Sequence, residues 1–239
     1  MKKIIFIFFI TVLLLPSISF AQGREDLKVS LESAIKWAYN KEAMKALEPY
    51  APLLVNSKKV DFLFFPHDKK ILTVNMGEGL VVPSTAKERY IGTFGLGPCI
   101  GLALIGKKNG KVVRVALAHV DAMRDIQASS PFFYRAMHGL NEVEVSLVAS
   151  QGSVETTLKI IKKIFSMADE SQKIEYKADL TGSSDLVINV KTGQLYKGLI
   201  FPDDFKETKE ELNRILIAVQ TIREEPLRFS RYQSRFTEK

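Results

Sequence analysis

Two apolar, largely β-branched runs flank Asn109-Gly110 and constrain the fold of this chain more than any other feature. The runs are CIGLALI at residues 99–105 and KVVRVALAH at residues 111–119. Asn-Gly between two such runs is the strongest short-range signal for a tight β-hairpin. Cys99 therefore begins one predicted strand, and His119 ends its antiparallel partner. Because these two ends of an antiparallel pair meet at one edge of the sheet, we expect the two side chains to lie within reach of each other.

Cys99 is the only cysteine among the 239 residues, so no intramolecular disulfide can form and the fold depends on its core. The first 21 residues predict a secretory signal peptide, with a basic start, an apolar stretch and the cleavage-site sequence Ser19-Phe20-Ala21. We expect cleavage after Ala21, export to the periplasm or the medium, and no membrane anchor afterwards. In an oxidising compartment a lone thiol is a liability unless it is deeply buried or functional.

Composition predicts a globular chain with a modest positive charge. The apolar fraction is 46% and the formal net charge is +7, which falls to +5 once Lys2 and Lys3 leave with the signal peptide. Basic and aromatic residues alternate only in the last segment, residues 226–239, which we expect to be solvated or to pack on the domain. With so small a charge and no recognised motif, we do not expect nucleic-acid binding.

The chain divides into a signal peptide (1–21), an N-terminal helical cap (22–58), an α+β catalytic domain (59–225) and a basic, aromatic tail (226–239). Predicted helices cover residues 25–48, a segment from Ser130-Pro131 to Gly139, residues 153–168 with Ser153 as the capping residue, and residues 203–223. Predicted strands cover 60–65 and 70–75, joined as a hairpin, then 142–149, 173–180, 186–190 and 194–200, with the last two joined as a hairpin. Glycines and Pro83 predict a loop after residue 75. The expected fold class is α+β, with mixed or antiparallel β-sheets flanked by helices.

The stretch TFGLGPC before the first central strand has the composition of a nucleophile loop. Its two glycines allow a tight turn in which backbone N–H groups, including that of Cys99, point into one concavity. Such groups are the donors that the oxyanion of an acyl transfer requires. His119 is the natural base for a cysteine nucleophile, because an imidazole exchanges protons near neutral pH. The candidate site residues are Cys99 and His119 for catalysis, Thr93 and Asp121 for orienting the imidazole, and Gly95 and Gly97 for the oxyanion turn.

Three further pieces follow the cysteine that opens the apolar strand: LAHVDA (117–122), EVEVSLVAS (142–150) and INVKTGQLYKG (188–198). In this order they resemble the protein N-terminal asparagine amidohydrolases, over about residues 90–199. TFGLGPC followed by His119 is also similar to the bacterial chemoreceptor glutamine deamidases. Both belong to a wider group of cysteine amidases that includes the cytotoxic necrotizing factor toxins. In the glutamine deamidases a Thr, a Cys and a His form the catalytic set, and the matching positions here are Thr93, Cys99 and His119.

The resemblance implies a cysteine deamidase-like fold and hydrolysis of Asn or Gln side chains in a protein or peptide, without a cofactor. It implies that Cys99 attacks the amide carbon, that His119 moves the proton, and that Thr93 orients His119. Asp121 would orient His119 or bind a substrate amino group. The chain departs from the family pattern at Pro98, where the glutamine deamidases carry a small hydroxyl residue. It departs again at Ser150-Gln151, where these families carry a glycine pair.

Other interpretations stay open. Peptide cleavage and transamidation use the same acyl-enzyme chemistry as deamidation. A non-enzymatic envelope or interaction protein on a hydrolase-like scaffold would keep Cys99 as an inert core residue, since cysteine is among the most buried residue types. Asp121 would equally suit a turn or a helix cap. His67 and His138 have no partners at metal-ligand spacing, so we expect no metal.

Overall fold

The computed structural model describes residues 41–66, 69–121, 124–149, 153–182, 184–198 and 225–231. The predicted signal peptide, most of the predicted helix 25–48 and all of the predicted helix 203–223 lie outside these ranges. The described helices are α1 (Lys41–Lys45), α2 (Ala51–Val55), α3 (Ser130–Met137) and α4 (Val154–Met167), with a 3-10 turn at Glu48–Tyr50. The described strands are β1 (Lys58–Lys59), β2 (Phe62–Phe64), β3 (Leu72–Thr73), β4 (Glu78–Pro83), β5 (Tyr90–Phe94), β6 (Ile100–Lys108), β7 (Lys111–Val120), β8 (Arg124–Asp125), β9 (Glu142–Val148), β10 (Lys173–Asp179), β11 (Asp185–Asn189), β12 (Leu195–Lys197), β13 (Glu225–Pro226) and β14 (Arg228–Arg231).

Strands β6 and β7 form the predicted hairpin at the centre of a seven-stranded sheet of order β1-β10-β9-β6-β7-β4-β14. Asn109 and Gly110 have φ angles of 51° and 73°, the left-handed conformation that a type I′ turn requires. The sheet is mixed, because β6 is antiparallel to β7 and β9 whereas β10 is parallel to β9 and β14 is parallel to β4. Mixed sheets with a few helices confirm the α+β class.

Both faces of this sheet are buried, and its side chains alternate between two cores. On one face Leu102 and Leu104 join the core formed with α3 and α4, which also takes in Met44 of α1 and Leu54 of α2. On the other face Ala103 and Ile105 pack against a five-stranded sheet of order β2-β12-β11-β5-β3. The described residues therefore form three layers: helices, the seven-stranded sheet and the five-stranded sheet.

The predicted hairpin of residues 60–65 and 70–75 is wrong. Strands β2 and β3 form within these segments but lie at opposite edges of the five-stranded sheet, where β2 is parallel to β12 and β3 is parallel to β5. The turn signal at residues 66–68 indicates a change of direction but does not select a partner strand. Contacts made later in the chain select it, including edge-to-face packing of Phe65 on Tyr90 and Tyr196 at 5.2 and 5.8 Å.

The predicted loop after residue 75 is also wrong in part, since β4 and β5 lie there. Gly79 of β4 does not make a turn: a Cβ at this position would come within 2.7 Å of the Phe132 ring. Gly92 of β5 likewise leaves room for Ile71, whose side chain would lie 2.8 Å from such a Cβ. These glycines allow close packing of neighbouring elements, a role that glycine plays in strands as well as in turns.

Part of the segment predicted as a tail belongs to the fold. Strand β14 pairs in parallel with β4 at the edge of the seven-stranded sheet, and the Phe229 ring packs against Phe132 at 6.3 Å. Strand β13 pairs with β8 in a separate two-stranded sheet. Among the described residues, no helix combines the length and the apolar character needed to cross a membrane.

Candidate functional site

Thr93 and His119 meet between the two sheets. His119 is the penultimate residue of β7 and faces the five-stranded sheet, whereas Thr93 lies on β5 of that sheet and faces back. The Thr93 Oγ1 atom lies 2.8 Å from Nδ1 of His119, within hydrogen-bond distance. Thr93 is fully buried and His119 is only 3% exposed. The structure thus brings together two of the residues that the sequence singled out.

The surroundings of His119 keep its imidazole neutral. Burial lowers the pKa of His119 from 6.5 to about 4, the negative charge of Asp121 opposes this shift, and the positive charge of Arg124 adds to it. Nε2 of His119 is buried and has no hydrogen-bond partner among the residues that the structure describes. His119 is therefore a neutral imidazole with Nδ1 held by Thr93 and a lone pair or proton left on Nε2. Its lowered pKa makes it a weaker base than the near-neutral imidazole that the sequence predicts.

Cys99 lies at the same end of the hairpin as His119. Strand register pairs Gly101 with His119, so Cys99 lies two residues before that pair and directly ahead of β6. The residue is 6% exposed, and Sγ lies 3.9 Å from Sδ of Met76. Met76 in turn forms a parallel β-bridge with His119. The thiol, the thioether and the imidazole therefore share one corner of the sheet interface.

The turn before Cys99 differs from the predicted oxyanion turn in one donor. Gly95 and Gly97 have φ angles of 68° and 21° and are exposed, and a Cβ on Gly95 would meet nothing within 4 Å. The backbone N–H of Cys99, however, donates to the Leu96 carbonyl. Leu96 is itself buried and donates its N–H to the Ser184 carbonyl at 3.0 Å. The expectation that the Cys99 N–H joins the oxyanion donors is therefore wrong, because this group closes the turn.

Asp121 lies in a pair with Arg124. Its Oδ2 atom accepts a hydrogen bond from Arg124 Nε at 2.8 Å, and both side chains are about nine-tenths buried. Since Thr93 holds Nδ1 of His119, Asp121 influences the imidazole through its charge. The guanidinium of Arg124 also packs over Gly77, where a Cβ would lie 2.7 Å from Arg124 Cζ.

Sequence patterns did not indicate Met76 or Arg124 as part of the site, since single residues in loops and two-residue strands carry no periodic signal. Arg228 of β14 also reaches this region, and its Nη2 donates to the Met76 carbonyl at 2.8 Å. Arg228 therefore fixes the backbone beside the thiol from the far end of the sequence.

Ser153 has a different role from the predicted helix cap. It precedes α4 but makes no side-chain capping bond, and its Oγ instead donates to the Pro98 carbonyl at 2.6 Å. Pro98 itself is exposed at the surface of the turn. The other departure from the family pattern, Ser150-Gln151, lies outside the described residues.

Of the two other histidines, the structure describes only His138, which lies away from this corner. His67 lies outside the described residues, and the His138 ring stacks on Tyr134 at 4.5 Å beyond the end of α3. Within the described part of the chain, no group of three or more His, Cys, Asp or Glu side chains is placed to hold a metal ion. A scan of protein-family models and a search of curated proteins both find no match to this chain.

Proposed function

We propose that this chain is an exported cysteine amidohydrolase with a cysteine deamidase-like fold, which deamidates Asn or Gln side chains of a protein or peptide. The observation that carries the proposal is the state of His119. Its imidazole is buried and neutral, Thr93 holds Nδ1, and Nε2 has no partner among the described residues, at the sheet end that also carries the only cysteine. A merely structural buried histidine normally has both ring nitrogens satisfied.

The proposed chemistry uses the tautomer in which Nδ1–H donates to Thr93 Oγ1 and Nε2 carries a lone pair. Nε2 accepts the thiol proton of Cys99 as Sγ attacks the carboxamide carbon, which gives a tetrahedral oxyanion. The imidazolium then protonates the leaving nitrogen, so that ammonia departs and a thioester remains. Water, deprotonated by Nε2, attacks the thioester and releases an Asp or Glu side chain, and the thiol regains its proton.

A second candidate is a non-enzymatic envelope or interaction protein that retains the scaffold. The observation that favours it is the burial of Cys99, which is only 6% exposed and whose side chain contacts Met76. The turn at Gly95 and Gly97 favours the enzyme instead, since it precedes Cys99 in the chain and is exposed.

Intact-mass analysis tests the proposal. The mature chain is incubated with synthetic peptides that carry Asn or Gln at the first or an internal position, and Cys99→Ala is the control. Deamidation converts one side-chain amide into a carboxylic acid and releases ammonia. The peptide stays intact, and its mass rises by the difference between the acid and the amide. Cleaved fragments would show a peptidase, and cross-linked peptides a transamidase. If no peptide changes and Cys99 of the folded chain also resists thiol reagents, the non-enzymatic interpretation replaces the proposal.

A further inference from the structure

Ser153 links helix α4 to the peptide bond that precedes the thiol. Its side chain is buried, with 7% of the residue exposed, and its Oγ donates to the Pro98 carbonyl at 2.6 Å. The backbone of Ser153 is held as well, because the buried Thr157 hydroxyl donates to the Ser153 carbonyl at 2.9 Å. The link therefore connects the first turn of a 14-residue helix to the nucleophile turn.

Both polar atoms of the Pro98–Cys99 peptide unit are engaged. Ser153 binds its carbonyl, and its N–H donates to the Leu96 carbonyl. Leu96 is buried, and its own N–H donates to Ser184 beside the five-stranded sheet. This peptide unit carries the Cα atom of Cys99, so contacts from two other parts of the chain help to fix the backbone from which the thiol extends.

This arrangement forgoes a stabilising interaction that the same side chain offers. A serine at the start of a helix normally accepts a hydrogen bond from a backbone N–H of the first turn, and losing such a cap costs about 1 kcal/mol. The Ser153 side chain makes no such bond. Instead, the Ser153 hydroxyl binds the Pro98 carbonyl beside the proposed nucleophile. Functional sites typically contain such exceptions to local structural preferences.

We propose that Ser153 is a positioning residue for Cys99: by holding the Pro98 carbonyl, it keeps the thiol oriented for proton exchange with His119. This inference rests on the proposed function. Ser153 does not contact the reacting atoms and acts only through the peptide unit. Loss of one neutral hydrogen bond corresponds to about a fivefold change in the population of the oriented thiol.

The test uses the mature chain and iodoacetamide, which reads Cys99 alone because the chain has no other cysteine. The readout is the alkylation rate at neutral pH divided by the alkaline plateau rate of the same variant. This ratio gives the fraction of Cys99 that is thiolate at neutral pH. A change in how easily iodoacetamide reaches the thiol alters both rates equally and therefore does not change the ratio. Ser153→Ala removes the donor, Ser153→Thr keeps it, and Ser153→Gly removes it with little effect on the helix start. Ser166→Ala is the matched control, since Ser166 Oγ donates to the Lys163 carbonyl at 2.8 Å near the other end of α4.

We expect the ratio to fall about fivefold in Ser153→Ala and Ser153→Gly, and to stay near wild type in Ser153→Thr and Ser166→Ala. Ratios within twofold of wild type in the folded Ala or Gly variant would overturn the inference, as would an equal fall in Ser166→Ala. His119→Ala is measured alongside to separate the two proposals. If His119→Ala leaves the ratio unchanged, the Cys99–His119 pairing of the proposed function fails, whatever the Ser153 variants do.

Discussion

The hydroxyl oxygen of Thr93 lies 2.8 Å from Nδ1 of His119, although the two residues belong to different sheets and are 26 positions apart in the chain. This hydrogen bond crosses an otherwise apolar interface formed by residues such as Leu117 and Leu186. Inside such an interface an unmet polar group is costly, so the bond contributes both to sheet packing and to the orientation of the imidazole.

Replacement of Thr93 by Val keeps the side-chain shape and removes the hydroxyl. We expect Thr93→Val to lower the free energy of unfolding by about 1–3 kcal/mol, because Nδ1 of His119 stays buried without its partner. Ammonia release should fall at least tenfold, since the imidazole loses the contact that selects its tautomer. Urea unfolding and an ammonia assay measure the two effects. Thr93→Ser should retain most of the stability and most of the rate of ammonia release. A Thr93→Val variant with wild-type stability and rate would contradict the role of the hydroxyl in orienting His119.

The pH dependence of stability should carry the signature of His119. Its folded-state pKa is about 4, against an ordinary value of 6.5, mainly because of burial. Between these values the unfolded chain binds a proton that the folded chain does not, so the contribution of His119 to stability is lost as the pH falls from 6.5 to 4. At 1.36 kcal/mol per pKa unit, the free energy of unfolding falls by about 3 kcal/mol over this range.

Other acidic and basic groups titrate in the same range, so the measurement is a difference between two variants. Denaturant unfolding of wild type and of His119→Gln is followed from neutral pH to pH 4. The stability of the wild type relative to the variant should decline steadily over this range. A constant difference would show that His119 titrates normally in the folded chain.

Asp121 and Arg124 should move the pKa of His119 in opposite directions. Arg124→Met removes a positive charge that disfavours the imidazolium, so the pKa of His119 should rise, while Asp121→Asn removes a negative charge and should lower it. NMR titration of the imidazole measures both. Because the Asp121–Arg124 pair is nearly buried, Arg124→Met should also cost about 3 kcal/mol of stability. Shifts of the same sign in the two variants would exclude this electrostatic account.

Met76 should limit access to the thiol. Its Sδ lies 3.9 Å from Sγ of Cys99, and Arg228 holds its carbonyl. We expect Met76→Ala to raise the plateau alkylation rate of Cys99 severalfold, because the truncated side chain no longer covers the sulfur. Met167→Ala, at the end of α4 and away from the thiol, serves as the control. Equal rates in wild type and Met76→Ala would show that another group shields Cys99.

Local signals predicted the centre of the fold well. Asn109-Gly110 specifies the β6–β7 hairpin by its backbone conformation, and the hairpin register then brings Cys99 and His119 to one end. Ser130-Pro131 and Gly139 similarly mark α3, and Gly139 has the positive φ of a helix terminator. In each case, residues adjacent in sequence determine the geometry.

Local sequence signals do not predict contacts between segments that are distant in the sequence. Thr93 was a candidate from its place in the nucleophile loop and from the resemblance, but no local pattern shows that its hydroxyl meets His119 across two sheets. Gly79 lies in the segment predicted as a loop, but it makes room for the Phe132 ring of another element. Ser153 has the local sequence of a helix cap, and only the position of the Pro98 carbonyl shows why its hydroxyl is used elsewhere.

The most direct test of the central claim is the rate of ammonia release from Asn and Gln peptides by wild type, Cys99→Ala and His119→Ala, each shown to be folded by circular dichroism. The account predicts measurable release by wild type, complete loss in Cys99→Ala, and loss of most of the rate in His119→Ala. Full release by folded Cys99→Ala would contradict the claim that this thiol is the nucleophile.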